Sequence, residues 1–350
     1  MYSRSYLVIP YTVLVAIGYC IYLVTGKTPA FSYQSMVKLF CLTQGRSNDW
    51  LSALVASLAK PYTFDRKGGL ADGVVQDEER KSALSALRET GYYVFQRKIP
   101  GDMCDRLLQF ALTQPSEVSP MDGQTAADKT NEIYVRGEPR AVRYFFDPVD
   151  LLKNTDVQSL IADLSLAAVA QDYLGARPVI DVLSMWWLTD FAERPDSQAA
   201  QFFHFDMDRP KWVKIFIYLT DVQASTGPHS FVAGSHKTGG IPQHFLDKGY
   251  ARLADEEVRN AYPESSIREI VAPRGTILAE DTRGLHKGKH IVKGDRLMLQ
   301  IQYSNCLFGG DYPRISFQEK IIPALRESVS RFPRLYSAYF SKLRQAEPLS

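Results

Sequence analysis

The sequence predicts an α+β protein, mainly β, whose body is a β-sandwich or barrel backed by helices. Short runs of strand-forming residues, broken by turns, follow one another from residue 179 to residue 303. Many short strands at close spacing are typical of β-sandwiches and barrels. The 22 glycines and 19 prolines among 350 residues indicate many turns, which also favours a β-rich body over a helical bundle.

The chain begins with a helical module, which we expect to span residues 1–67. Residues 6–24 carry no charge and are near the length that crosses a membrane as a helix. This segment is therefore either a membrane span or a helix packed on the soluble body. Residues 33–42 and 50–58 have the apolar spacing of amphipathic helices. We expect the protein in the cytoplasm, either free or anchored to the cytoplasmic face of a membrane.

The main body is expected over residues 68–310 and opens with a flexible joint at Gly68, Gly69 and Gly73. Periodicity then predicts a helix over 77–90, a strand over 92–95, a helix beginning at 100–102, a mobile loop over 116–129 and a long helix over 156–174. Strands are predicted over 179–189, 200–206, 212–221, 231–233, 267–272, 276–280 and 296–303. Residues 311–350 form a tail, predicted to be helical and basic over 314–344.

Composition excludes several classes of protein. The 41 Lys and Arg residues nearly balance the 39 Asp and Glu residues, whereas nucleic-acid binders carry a basic surplus or a basic block. A chain with 45% hydrophobic residues is too apolar for intrinsic disorder. Four cysteines lie far apart without a CxxC pair, which argues against a zinc ribbon or a thioredoxin motif. Reduced thiols in a cytoplasmic body are expected.

All six histidines lie between residues 204 and 290, inside the predicted β region. His204 and Asp206 are two residues apart on a predicted strand, so both side chains point to the same side and can bind a divalent metal. His286, in a glycine-flanked turn after the strand 276–280, is the candidate third ligand. Two histidines and one carboxylate are the ligands of non-haem Fe(II) oxygenases, and zinc hydrolases use the same residue types, so both classes stay open here.

Arg296, a charged residue on a predicted interior strand, bears on the choice between an oxygenase and a hydrolase. The strand 296–303 alternates, with Leu297, Leu299 and Ile301 on one face and Arg296 on the other. An arginine that faces a barrel interior needs an anion, because an unpaired buried charge is costly. A guanidinium binds a carboxylate through two parallel hydrogen bonds. Arg296 therefore favours an oxygenase with a carboxylate co-substrate over a hydrolase.

These residues resemble the phytanoyl-CoA dioxygenase family of Fe(II)/2-oxoglutarate oxygenases, over roughly residues 78–310. The matching pieces are His204-Phe205-Asp206, the turns Thr226-Gly227-Pro228 and Ala233-Gly234-Ser235-His236, His286 and Arg296, with a similar upstream strand at 91–95 and helix start at 100–102. His229 stands where the family often has a leucine, and His229, His244 and His290 match no family role.

The resemblance implies a double-stranded β-helix, the cupin-like jelly roll. It implies that His204, Asp206 and His286 bind Fe(II), that Arg296 binds the distal carboxylate of 2-oxoglutarate, and that His236 is structural. The implied reaction consumes O2 and 2-oxoglutarate, releases succinate and CO2, and hydroxylates a C–H bond. Asp206 favours hydroxylation over halogenation, because related halogenases lack this carboxylate.

The substrate is expected to be a small molecule or a lipid-linked one. It would be anionic if several basic residues near the motifs line the barrel mouth; these are Arg140, Arg143, Arg209, Lys211, Arg283, Lys287 and Lys289. Residues 116–129 and 243–263 are candidate lids. The alternatives are a zinc metallohydrolase with the same three ligands and a non-catalytic, membrane-tethered binding module.

Overall fold

The computed structural model describes residues 4–64, 77–118 and 130–340. Within these ranges, two antiparallel sheets enclose a barrel interior, and helices cover the outer side of the larger sheet. The strands are β1 (Tyr92–Lys98), β2 (Ser116–Val118), β3 (Thr130–Glu132), β4 (Arg143–Phe145), β5 (Val179–Thr189), β6 (Trp212–Tyr218), β7 (His229–Val232), β8 (Ile267–Ile270), β9 (Thr276–Glu280), β10 (His286–Gly288) and β11 (Asp295–Ser304).

The helices lie mostly in the first half of the chain. They are α1 (Val8–Thr25), α2 (Ala30–Thr43), α3 (Arg46–Leu58), α4 (Asp77–Glu89), α5 (Gly101–Thr113), α6 (Pro148–Lys153), α7 (Thr155–Ile161), α8 (Leu164–Leu174), α9 (Gln243–Leu246), α10 (Asp255–Ala261) and α11 (Pro323–Arg331). The predicted N-terminal helices are therefore present, and α4, β1 and α5 follow in the expected order.

The strand order confirms the double-stranded β-helix. The larger sheet runs β1-β9-β6-β11-β5-β4-β2-β3 and the smaller one β10-β7-β8, so the chain from β5 onward passes back and forth between the two sheets. The backbone at His204 adds to the smaller sheet through a bridge to His286. Antiparallel pairing around two facing sheets is the jelly-roll arrangement.

Strand β11 shows how alternation builds the two sides of the larger sheet. Leu297, Leu299 and Ile301 join the hydrophobic cluster that contains the helices, as their spacing predicts. Met298 faces the barrel interior, where it lies opposite Trp186 on β5 and Tyr218 on β6. The same alternation turns Arg296 inward.

The N-terminal helices pack on the body as well as on one another. Helix α1 contacts α2 and buries Val15, Gly18 and Tyr19, and the ring of Tyr19 lies 5.3 Å from that of Phe308. By length and composition α1 could cross a membrane. Only 17% of it is buried, so it is not a core helix of the body. On α2, Phe40 stacks on Phe205, inside the His-x-Asp segment.

Two predicted elements are wrong, and local chemistry explains the first of them. The long helix over 156–174 is two helices, α7 and α8, because the carboxylate of Asp163 accepts a hydrogen bond from the backbone N–H of Ser165 (2.8 Å) and caps a new helix. The strand over 200–206 is not continuous. Only single bridges from Phe203 to Leu253 and from His204 to His286 form there.

Two further predictions need correction at their ends. Residues 116–118 of the predicted loop form β2, which pairs with β3 and β4, and residues 119–129 lie outside the described residues. Among the described residues of the tail, 311–340, only Pro323–Arg331 is α-helical, and Ser316 forms a bridge with Phe340. Residues 341–344 of the predicted helix lie outside the described residues. The predicted joint at Gly68, Gly69 and Gly73 also lies outside the described residues.

Candidate metal centre

The structure brings the three predicted ligands together inside the barrel. His204, Asp206 and His286 are all buried, and one ligand atom from each lies within 4.8 Å of the other two. Nε2 of His204 is 3.8 Å from Oδ1 of Asp206, and Nε2 of His286 is 3.5 Å from Oδ2 of the same carboxylate. Two nitrogens and one hard oxygen can bind one divalent metal on one face and leave its other positions open.

Backbone hydrogen bonds hold the two histidines side by side. His204 and His286 exchange both N–H···O bonds, at 3.0 and 2.8 Å, so the partners are fixed although they are far apart in sequence. Nδ1 of His204 lies 2.9 Å from the carbonyl of Phe202, and Nδ1 of His286 lies 3.0 Å from that of Gly284. A carbonyl can only accept, so each Nδ1 carries the proton and each Nε2 is free to bind a metal.

The electrostatics favour the metal-binding forms of all three side chains. Burial lowers the pKa of both His204 and His286, so each imidazole is neutral. Burial alone would raise the pKa of Asp206, but the Lys214 ammonium, which also donates a hydrogen bond to this carboxylate, outweighs burial and holds the pKa below its ordinary value. Neutral imidazoles beside an ionised carboxylate are the forms that ligate.

Lys214 is a site residue that the sequence analysis missed. It lies on β6 with Nζ 2.5 Å from Oδ2 of Asp206 and 3.2 Å from Oδ2 of Asp208, and its side chain is only 12% exposed. A lysine inside the otherwise apolar run Trp212-Val213-Lys214-Ile215-Phe216 was the available signal. The ammonium binds a carboxylate oxygen of Asp206 and so restrains the orientation of that ligand.

Arg296 points into the same cavity, as its position on the strand predicts. It is 1% exposed, donates one hydrogen bond to the carbonyl of Gly227, and has no partner for Nε. The cavity measures about 120 Å³ and is also lined by the three ligands. Gly288 gives the guanidinium room, since a Cβ at that position would lie 3.0 Å from an Arg296 terminal nitrogen.

A second guanidinium, that of Arg143 on β4, lines the cavity. It lies over the rings of Trp186 and Phe145, at 4.8 and 5.1 Å from their centroids, and its Nε has no hydrogen-bond partner. Burial, with Arg296 and Arg252 nearby, lowers the pKa of Arg143 to about 10. Among the described residues, neither Arg143 nor Arg296 forms an ion pair with a carboxylate.

His229 and Glu280 form a buried pair beside the metal ligands, which the sequence analysis also missed. Nδ1 of His229 is 2.8 Å from Oε1 of Glu280, and the His229 ring contacts that of His286. Burial raises the pKa of Glu280 to about 8 and lowers that of His229 to about 3. His229 lines the cavity, so a polar ring stands there in place of the leucine common in the family.

Most of the basic residues expected at the barrel mouth are paired elsewhere. Arg209 bonds Asp181, Arg283 bonds Asp281, Lys287 bonds Asp255, Lys289 bonds Glu269 and Lys211 donates to the carbonyl of Tyr173. Arg140 is exposed. Of the seven, only Arg143 lines the cavity with the metal ligands.

The remaining histidines lie away from the ligands. His236 packs against Gly91, where a Cβ would lie 2.5 Å from Nδ1 of the ring. The His244 ring lies on Phe245, and Nδ1 of His290 is 3.3 Å from Gln201. From the predicted lid over 243–263, one side chain reaches the metal centre: the Tyr250 hydroxyl donates to Oδ1 of Asp206 at 3.3 Å.

One family of known proteins matches most of the chain. The chain matches the family Phytanoyl-CoA dioxygenase (PhyH) over residues 72–292. No curated protein matches the chain. Similar solved structures include the non-heme alpha ketoglutarate dependent epimerase SnoN from nogalamycin biosynthesis, with 16% identity and a TM-score of 0.47 over 65% of this chain and 84% of that chain.

Two further structures show the same level of similarity. EctD from S. alaskensis with bound Fe has 18% identity and a TM-score of 0.42 over 70% of this chain and 83% of its own. HygX from Streptomyces hygroscopicus, with nickel, 2-oxoglutarate and hygromycin B bound, has 18% identity and a TM-score of 0.42 over 71% of this chain and 96% of that chain. Because the family match spans more than half of its length, the chain belongs to the phytanoyl-CoA dioxygenase family.

Proposed function

We propose that the protein is an Fe(II)- and 2-oxoglutarate-dependent dioxygenase that hydroxylates an unactivated C–H bond of a small molecule. The observation that carries this proposal is the content of one cavity, which holds three metal ligands and two guanidinium groups that lack carboxylate partners among the described residues. A buried unpaired charge is costly, so the fully buried Arg296 requires an anion from outside the chain. Arg143, which is partly buried beside it, adds a second positive charge to the same cavity.

The donor set fits Fe(II). His204, Asp206 and His286 would hold the ion through two nitrogens and one oxygen, which leaves positions for a chelating co-substrate and for O2. Zinc could bind the same ligands, but a zinc hydrolase has no use for the buried Arg296. A binding module without catalysis would not need three intact ligands.

The two arginines fit a small dicarboxylate. Arg296 would bind the distal carboxylate of 2-oxoglutarate, because its Nε has no partner and its fork suits bidentate contact. Arg143 faces the same cavity from the same sheet, with Leu188 of β5 between it and Arg296, and is available for the second carboxylate. At about 120 Å³ the cavity is smaller than the roughly 300–1,000 Å³ of ordinary ligand pockets, so it would hold the oxoacid while the substrate approaches from outside.

When bound, iron and 2-oxoglutarate supply an oxidant for C–H bonds from O2, with release of succinate and CO2. The residues of the chain orient the metal ligands and enclose the cavity. Lys214 and Tyr250 hydrogen-bond the two oxygens of Asp206 and restrain its carboxylate. Phe216, Trp186 and Met298 give the cavity apolar walls that limit access of water.

Anaerobic titration of the metal-free protein with Fe(II) and then 2-oxoglutarate tests the proposal. A weak absorbance band near about 500 nm is expected only when both are present. H204A should lose this band because it removes one ligand. Tightly retained zinc and no band would instead support the hydrolase.

The anion site can be tested with a matched co-substrate. 2-Oxopentanoate lacks only the distal carboxylate, so the wild type should bind 2-oxoglutarate about a hundredfold more tightly. In R296L this preference should fall below about tenfold, and R296K should lie between, because lysine lacks the bidentate fork. R140Q, which alters an exposed arginine, is the control and should keep the full preference. Equal preference in R296L and the wild type would refute the role of Arg296.

A further inference from the structure

Helix α1 presents a continuous apolar stripe to solvent. Ile9, Val13, Ile17 and Val24 are 71%, 50%, 48% and 88% exposed, and their spacing places them on one side of the helix. The segment from Ser5 to Gly26 has no charged residue. The exposed stripe therefore lacks the charges that usually cover the outer side of a surface helix.

Helix α3 carries a second exposed apolar stripe. Trp50, Leu54 and Leu58 follow one another at intervals of four residues and are 66%, 48% and 59% exposed. An apolar groove of about 340 Å³ lies between α1 and α3, lined by residues such as Ala16 and Leu54, with Met36 of α2 also contributing. Trp50 and Leu54 of the α3 stripe line this groove opposite Val8 and Ala16 of α1. We call the groove and the exposed apolar stripes of α1 and α3 the N-terminal apolar face.

The charge of the N-terminal module points to an anionic partner. Residues 1–64 contain five Lys or Arg residues and a single acid, Asp49. That acid is already engaged, since it lies 3.0 Å from the guanidinium of Arg283. The module is thus strongly basic, although the whole chain has a net charge of only +2. Its basic residues Lys27, Lys38, Arg46 and Lys60 are all exposed. Exposed apolar side chains and exposed basic residues on one module match the headgroup region of an anionic bilayer, where an exposed tryptophan is also favoured.

Contacts on the inner side of α1 distinguish a helix that crosses a membrane from one that lies along its surface. The hydroxyl of Tyr22 accepts a hydrogen bond from the Leu307 backbone N–H at 3.1 Å. Gly18 lies so close to α2 that a Cβ there would be 2.1 Å from Oγ of Ser32. A helix that crossed the membrane would have to give up these contacts, whereas a helix that lies on the surface keeps them.

We infer that the N-terminal apolar face docks this protein on the surface of an anionic membrane, with α1 and α3 lying in the interface. Large exposed apolar surfaces mark interaction sites, and a helix with apolar side chains on its free side binds interfaces in proportion to the area it buries. This inference is independent of the proposed reaction.

Vesicle binding by the full-length protein tests the inference. Vesicles of phosphatidylcholine with about a third phosphatidylglycerol should sediment at least about tenfold more protein than phosphatidylcholine alone, and added salt should reduce the difference. Brominated lipids should quench tryptophan fluorescence through Trp50, because Trp186, Trp187 and Trp212 are buried. Protein that stays in the supernatant with both vesicle types, or unquenched fluorescence, would overturn the inference.

A charge placed in the apolar face provides the matched comparison. I17D and L54D should each lower vesicle binding about tenfold, while V292D places the same charge at a residue that is 72% exposed in the body and should bind like the wild type. Vesicle binding by I17D and L54D equal to that of wild type would refute the inference. Light scattering that shows a dimer lost in I17D would also refute it, since a second copy would then cover the face.

Discussion

Replacing Lys214 by methionine should lower the free energy of unfolding of the metal-free protein by about 3–5 kcal/mol. The ammonium lies 2.5 Å from Asp206 and 3.2 Å from Asp208, with all three side chains nearly buried. Removing one partner of a buried ion pair leaves the other charges without compensation, which is the costly case. Methionine fills a similar volume, so a cavity adds little to the loss.

Lys211 provides the matched control, three residues earlier in the chain. Its Nζ donates to the carbonyl of Tyr173 at 2.7 Å and forms no ion pair with a carboxylate among the described residues. Burial lowers the pKa of Lys211 to about 8. K211M should therefore cost only about 1–2 kcal/mol, from the loss of this hydrogen bond and of the cation–π contact between Nζ and the Tyr173 ring, whose centroid is 4.2 Å away.

Urea unfolding of both variants in the presence of a chelator measures the difference. Adding Mn²⁺ should restore part of the stability of K214M, because the metal binds only the folded state and supplies a cation to Asp206; a concentration of about 100 times the dissociation constant adds about 2.7 kcal/mol. A loss in K214M no larger than that in K211M would refute the reasoning that Lys214 compensates the two carboxylates.

Three further predictions concern the same cavity. Burial raises the pKa of Glu280 to about 8 from 4.5, so the folded state holds this proton more tightly, and the free energy of unfolding should fall as the pH rises from about 4.5 through 8. In urea titrations E280Q should therefore lose less stability than the wild type between about pH 6 and pH 9. Equal losses in the two proteins would contradict this. G288A should weaken 2-oxoglutarate binding about tenfold because its Cβ crowds Arg296, whereas G101A, with its nearest atom 3.8 Å away, should not, as calorimetry can measure. H204A should lose the rise in thermal midpoint that Mn²⁺ gives the wild type, and an unchanged rise would exclude His204 as a ligand.

The local sequence was sufficient to predict the direction of side chains that alternate along one strand. Arg296 was expected on the interior face of its strand because Leu297, Leu299 and Ile301 occupy the other, and the structure confirms this. The spacing of His204 and Asp206 likewise indicated a shared site. Their segment is nevertheless irregular and not a strand, since it pairs with the rest of the fold at single residues.

Local signals were misjudged at one helix. The apolar spacing over 156–174 is helical throughout, and the interruption comes from a single side chain. The Asp163 carboxylate accepts a hydrogen bond from the backbone N–H of Ser165 and so caps the N-terminus of α8. An aspartate just before an apolar helical pattern is a recognised signal for the start of a helix. This break was within reach of the sequence, because capping depends on residues two or three positions apart.

By itself the sequence determined a β-sandwich or barrel and an inward arginine, because side-chain direction along a strand follows from a period of two. The resemblance to a known family narrowed this class to the jelly roll and implied the ligand set His204, Asp206 and His286, which the structure brings together. Only the tertiary structure decided what surrounds them. Lys214 meets Asp206 because β6 lies beside that segment, and His229 meets Glu280 because β7 and β9 face each other across the barrel. Such contacts depend on which strands pair and in which register, and pairing between distant segments leaves no periodic trace in either one.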